Sequence, residues 1–94
     1  MSDPAIPPEA RPRLPRGVRL VDSEAHGGKV LLAPERVFKA DAVAAAILQH
    51  CDGGQTLAEI VDALAAAYGA PRERVLVDVT ALLRGLADKK LVEL

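Results

Sequence analysis

The stretch VLLAPERVFKADAVAAAILQHCDGG, residues 30–54, contains the change of period on which the fold turns. Val30, Leu31 and Leu32 form a short apolar run with strand character. Pro34 beside Glu35 suits the first inner position of a tight turn, which returns Arg36-Val37-Phe38-Lys39 as a short third strand. Past Ala40 the spacing becomes helical. Asp41 can cap a helix whose stripe is Val43, Ala44, Ile47, Leu48 and Cys51, and Asp52-Gly53-Gly54 ends it.

Upstream, Val18, Leu20 and Val21 make a first strand, and Gly27-Gly28 can supply the positive φ angles that reverse the chain. The strands are expected at about 18–22, 29–33 and 36–39, joined in order as an antiparallel meander with the third at an edge. Downstream, Thr56 and Glu59 have the spacing of a capping box. Leu57, Ile60, Val61, Leu64 and Tyr68 then follow at helical spacing, and Gly69 can end the helix in a left-handed conformation. Pro71 opens a third helix, whose broad apolar face is Val75, Leu76, Val79, Leu82, Leu83 and Leu86. The helices are expected at about 41–51, 56–68 and 71–88, with a short extended piece over Lys89–Leu94. This is an α+β plan, a three-stranded antiparallel sheet followed by three helices, and its helical part resembles a winged helix.

Five of the seven prolines, Pro4, Pro7, Pro8, Pro12 and Pro15, precede Gly17. Proline fixes its own φ and removes a donor, and there is little apolar mass here to offset ordering. Residues 1–16 are therefore expected to be a disordered proline-rich tail, basic at Arg11, Arg13 and Arg16, ahead of a domain over 17–94.

A chain of 94 residues, half of them apolar, fits a single domain. Its core must be aliphatic, because Phe38 and Tyr68 are the only aromatic residues. Cys51 is the only cysteine, which excludes an internal disulfide and fits a reducing cytoplasm. With no signal-like apolar run at the start and no membrane-spanning stretch, the expected setting is soluble and cytoplasmic.

Catalytic chemistry is mostly missing from the pattern. His26 lies in a glycine turn and His50 at a helix end, and no CxxC, HxxxH or HExxH spacing accompanies them. His50 and Cys51 are neighbours on a helix, so their side chains diverge by about 100 degrees and are poorly placed to share a proton. Cys51 reads as a small buried residue. Gly53-Gly54 lacks the spacing of a phosphate loop. No catalytic residue, metal ligand or cofactor is expected.

The third strand is the candidate site. A short edge strand offers unpaired backbone groups to which an extended peptide can add. Arg36 and Lys39 serve either as charged guards of that edge or as contacts for acidic peptide residues, and Val77 lies off the apolar stripe of the third helix. Charge is unevenly spread. Asp41, Asp52, Glu59 and Asp62 face no Lys or Arg before Pro71, whereas the third helix and the end carry Arg72, Arg74, Arg84, Lys89 and Lys90. Such asymmetry can steer a charged partner.

The runs Val30–Arg36 and Ala45–Gly53 are similar to the PqqD family of pyrroloquinoline quinone biosynthesis. So are Thr56–Val61, Leu64–Tyr68, Val77–Val79 and Leu82–Leu86, in order over roughly residues 17–94. The resemblance implies a winged-helix-like recognition domain that binds a PqqA-like precursor peptide. It also implies delivery to a PqqE-like radical S-adenosylmethionine enzyme, which crosslinks a Glu and a Tyr of that peptide. In related recognition domains the leader lies as an added strand between the third strand and third helix. Here that implies Arg36, Val37, Phe38 and Lys39 with Val75, Val77, Asp78 and Leu82. The proline-rich start lies outside the resemblance.

A winged-helix nucleic-acid-binding regulator is the alternative. It would need a basic outward face on the third helix, and Arg74 and Lys89 are there mixed with Asp78 and Asp88 at a net charge of −1. A carrier or small enzyme subunit would need a setting that Ser2 and Ser23 lack. An open sheet edge allows a monomer or a weak homodimer.

Overall fold

The computed structural model describes residues 6–94. Strands β1 (Arg19–Ser23), β2 (Gly28–Ala33) and β3 (Arg36–Lys39) precede helices α1 (Ala42–Leu48), α2 (Leu57–Tyr68) and α3 (Arg72–Asp88). The sheet is an antiparallel meander in the order β1-β2-β3. Leu20 pairs with Leu31, and Leu31 with Phe38, so these three share the face that packs on the helices. Leu31 is fully buried beneath that layer with Leu57, Ile60, Leu83 and Leu86.

Local chemistry fixes the breaks. The β1–β2 connection is a short 3-10 turn, Glu24–His26, closed by left-handed Gly27. Asp41 accepts the Ala44 N–H at 2.7 Å as the α1 cap. Thr56 and Glu59 complete a reciprocal capping box on α2, a device worth about 1 kcal/mol. The Glu59 carboxyl is held below its ordinary pKa, first by the Thr56 backbone N–H and then by the Thr56 hydroxyl. Gly69 ends α2 in the left-handed region. Pro71 precedes α3 in extended conformation, so it caps the helix rather than occupying its first turn.

Two expectations change. α1 stops at Leu48, short of the expected Cys51, because the chain turns through Gln49–Cys51 into the Asp52-Gly53-Gly54 loop. The larger correction concerns the expected disordered tail. Residues 1–5 lie outside the described residues, but residues 6–16 run as a docked arm across the helices. Ile6 and Pro12 are buried. Pro8 and Ala10 turn their carbonyls to the start of α2, accepting from Ala58 N at 3.1 Å and Leu57 N at 2.8 Å. These are two of the donors that a helix start leaves without an internal partner. Pro12 O accepts from Gly53 N, and Arg13 exchanges two backbone hydrogen bonds with Glu93, at 2.9 and 2.8 Å. Proline removes a donor but keeps its acceptor, so a proline-rich segment suits a helix N-terminus in need of carbonyls. The domain therefore begins well before Gly17.

Candidate functional site

Among the described residues, strand β3 is hydrogen-bonded along one edge only. Its register settles which groups are open. Ala40 N donates to Lys29 O at 3.0 Å, toward β2. Backbone groups alternate in direction along a strand, so Arg36 and Phe38 also face β2, whereas Val37 and Lys39 turn N–H and C=O outward. Side chains alternate too. Phe38 lies half-buried against the core, and Val37 is exposed on the opposite face of the sheet.

The end of α3 sits beside this strand. Arg36 donates through Nη2 to the carbonyl of Lys89 at 2.6 Å, and Lys89 Nζ lies 5.3 Å from the centre of the Phe38 ring. From Lys89 the helix runs back past Gly85, Leu82 and Asp78, a set at spacings of three and four that shares one side. That side ends at an apolar cavity of about 170 Å³, lined by Val43, Ile47, Leu64, Tyr68, Val75 and Asp78 among others. The strip of α3 between the open edge of β3 and this cavity is the candidate groove.

The expected site residues divide accordingly. Arg36 and Phe38 lie against Lys89, Val75 and Asp78 line the cavity, Leu82 packs against the core on the turn of α3 between them, and Val37 and Lys39 leave their backbone open. Val77 does not join them. It is exposed and lies about 100 degrees around the helix from Asp78, facing solvent.

Val43 and Tyr68 at the cavity, and Gly85 and Lys89 on the same side of α3, were outside the expected site residues. Val43 and Tyr68 fall on the core stripes of their helices by spacing, yet they are 63% and 66% exposed at the mouth of the cavity. Tyr68 sits on the correct stripe, but the last turn of α2 carries it beyond its packing partners. Its place in the final turn, just before Gly69, was the available signal.

No group of three or more His, Cys, Asp or Glu able to hold a metal occurs among the described residues. Burial pushes the Cys51 thiol up to about 12, with the neighbouring Asp52 charge adding to the effect. Its Sγ donates to Ile47 O at 3.5 Å. A thiol so held is not a nucleophile near neutrality. No helix among the described residues is long and apolar enough to cross a membrane.

The sequence and fold of this chain are matched in known proteins. Residues 28–92 match the family model described as coenzyme PQQ synthesis protein D. The chain belongs to the PqqD family. A PqqA binding protein of Bradyrhizobium diazoefficiens is 48% identical over 80 residues, covering 85% of this chain and 78% of that one. A bifunctional coenzyme PQQ synthesis protein C/D of Methylorubrum extorquens is 44% identical over 82 residues, covering 87% of this chain and 22% of the longer protein.

Among solved structures, the PqqD truncation of Methylobacterium extorquens PqqCD superimposes with a TM-score of 0.76 at 41% identity, covering 93% of this chain and 98% of that one. That domain is described as a functional, stand-alone RiPP recognition element, for ribosomally synthesized and post-translationally modified peptides. PqqD from Xanthomonas campestris gives a TM-score of 0.60 at 40% identity, covering 95% and 99%. The PqqD fold of these structures is the α+β fold seen here.

Proposed function

We propose that this PqqD-family protein binds a PqqA-like precursor peptide as an added strand on β3 and presents it to a radical S-adenosylmethionine enzyme. The observation that carries the reading is the outward backbone of Val37 and Lys39 beside an apolar groove. Two residues of β3 offer two donors and two acceptors to an incoming extended chain, and the groove can take alternate side chains. The names of the relatives support a peptide partner in the same biosynthesis. The protein acts in the cytoplasm as a binding partner rather than a catalyst, and the chemistry on the peptide belongs to the enzyme that receives it.

Titration of labelled protein with a PqqA peptide tests the reading. Amide shifts should centre on Val37, Lys39 and the Asp78–Lys89 side of α3. Shifts confined to α1 and α2 would overturn the site, and absence of binding would overturn the function. Mass spectrometry of the peptide after incubation with this protein alone should show no change.

A further inference from the structure

The groove has chemically different ends, and this difference bears on which peptide it selects. Beside the β2–β3 turn, where β3 begins, Arg16, Arg36 and Lys90 border a hollow of about 340 Å³, with Glu35 the acidic residue among its lining. Lys89 adds a further cation against Phe38, and Asp88 a further acid beside it. Four cations against two acids leave this end net positive, which suits a carboxylate. At the other end the cavity beneath Val43 and Tyr68 is lined by aliphatic residues, with Asp78 the one charged group among them. Exposed Val43 and an on-stripe Tyr68 around that cavity leave apolar surface uncovered, which a large apolar side chain would gain by covering.

We infer that the protein selects its peptide by two anchors on one extended segment, an Asp or Glu at the Arg36–Lys89–Lys90 end and a large aliphatic residue in the Val43–Tyr68 cavity. The inference rests on the strand-addition reading above and specifies the chemistry of the occupant. Helix α3 measures the separation. At 1.5 Å per residue, Lys89 lies about 17 Å from Asp78 and about 21 Å from Val75 along the axis. A strand rising about 3.3 Å per residue crosses that distance in five or six residues, and only an even separation keeps both side chains on the groove side. The two anchors are therefore about six residues apart.

The test is fluorescence anisotropy with a PqqA peptide and the full chain. A Lys89→Glu/Lys90→Glu variant should lose about tenfold or more in affinity, as expected for charge reversal at a rim, and less at high salt. Changing one particular peptide acid to Lys should restore most of that loss. Ala46→Leu, which fills the cavity from α1, should weaken binding by about fivefold without lowering the melting temperature. Arg16→Glu and Val43→Glu repeat the two arms at exposed positions, should the first variants fold poorly. A one-residue insertion between the peptide anchors should cost as much as losing one anchor. If the variants all bind within twofold of the native protein while Val37 and Lys39 amides still shift, strand addition stands and the two-anchor inference falls. If the native protein binds no peptide, both fall.

Discussion

Two extended segments of this protein, the arm over residues 6–16 and strand β3, meet opposite fates. The arm has nearly every feature that argues against order: prolines, arginines and few apolar residues. Yet Pro8, Ala10, Pro12 and Arg13 all bond through their backbones to the loop before α2, to its first turn or to Glu93. Strand β3 carries two good β-formers, Val37 and Phe38, and leaves the backbone of Val37 and Lys39 open. What decides is the supply of unmet partners. The start of α2 has donors to satisfy, and carbonyls from the arm satisfy them. The edge of β3 has no segment of the chain left to pair with among the described residues, so its donors and acceptors stay available to another chain.

The largest expected effect comes from attacking the docked segment. Deleting residues 1–13 removes buried Ile6 and Pro12 and strips the α2 donors of their acceptors. At about 1.5–3 kcal/mol for a buried aliphatic side chain and about 1 kcal/mol per lost hydrogen bond, stability should fall by roughly 3–5 kcal/mol. Urea unfolding of full-length and truncated protein measures this directly. A loss below about 1 kcal/mol would show that the arm behaves as a free tail and that the contrast with β3 is false.

Next in size is the open edge. Proline at Val37 removes an outward donor for which no partner occurs among the described residues, so stability should change by less than about 1 kcal/mol. Peptide affinity should fall by roughly 1–3 kcal/mol in the same variant, read by calorimetric titration. The reverse pattern, lost stability and retained affinity, would mean that the Val37 N–H faces β2.

A smaller effect is expected at Gly85. A Cβ built there meets nothing within 4 Å, and its φ is not positive, so nothing inside the protein requires glycine. Gly85→Ala should stabilise α3 by about 0.5–1 kcal/mol in a thermal melt. Gly85 also lies between Leu82 and Lys89 on the groove side, where a strand backbone would pass close to the helix. Weaker peptide binding by the more stable variant would sharpen the assignment of this side of α3. Unchanged binding would place the peptide farther from the helix.

The smallest effect belongs to Val77, which faces away from both segments. Val77→Ser should alter stability and peptide affinity by less than about 0.5 kcal/mol each, in the same melts and titrations. A larger loss of affinity would bring a second surface of α3 into the site.

Much of this was legible in the residues. The capping box at Thr56 and Glu59, the stop at Gly69, the Asp41 cap and the order of the three strands depend on neighbours a few positions away. Arg36–Lys39 could be placed at an edge because a meander whose third strand is followed by helices has no fourth strand to cover it. Val43 and Val77 were harder. A helical stripe has flanks, and sequence spacing cannot tell which flank meets a neighbour and which borders a cavity.

By itself the sequence determined most local decisions: the order of strands and helices, the caps at Asp41, Thr56 and Gly69, the aliphatic core, and a thiol with no partner for chemistry. Tertiary structure alone decided three things. It docked the proline-rich arm, left Tyr68 exposed on its own apolar stripe, and set Lys89, just past α3, against Phe38 of β3. The reason is range. Caps and turns are closed by bonds between residues three or four apart. The arm is held by Leu57, Gly53 and Glu93, and the groove joins residues separated by half the chain, so neither could be read before those surfaces met.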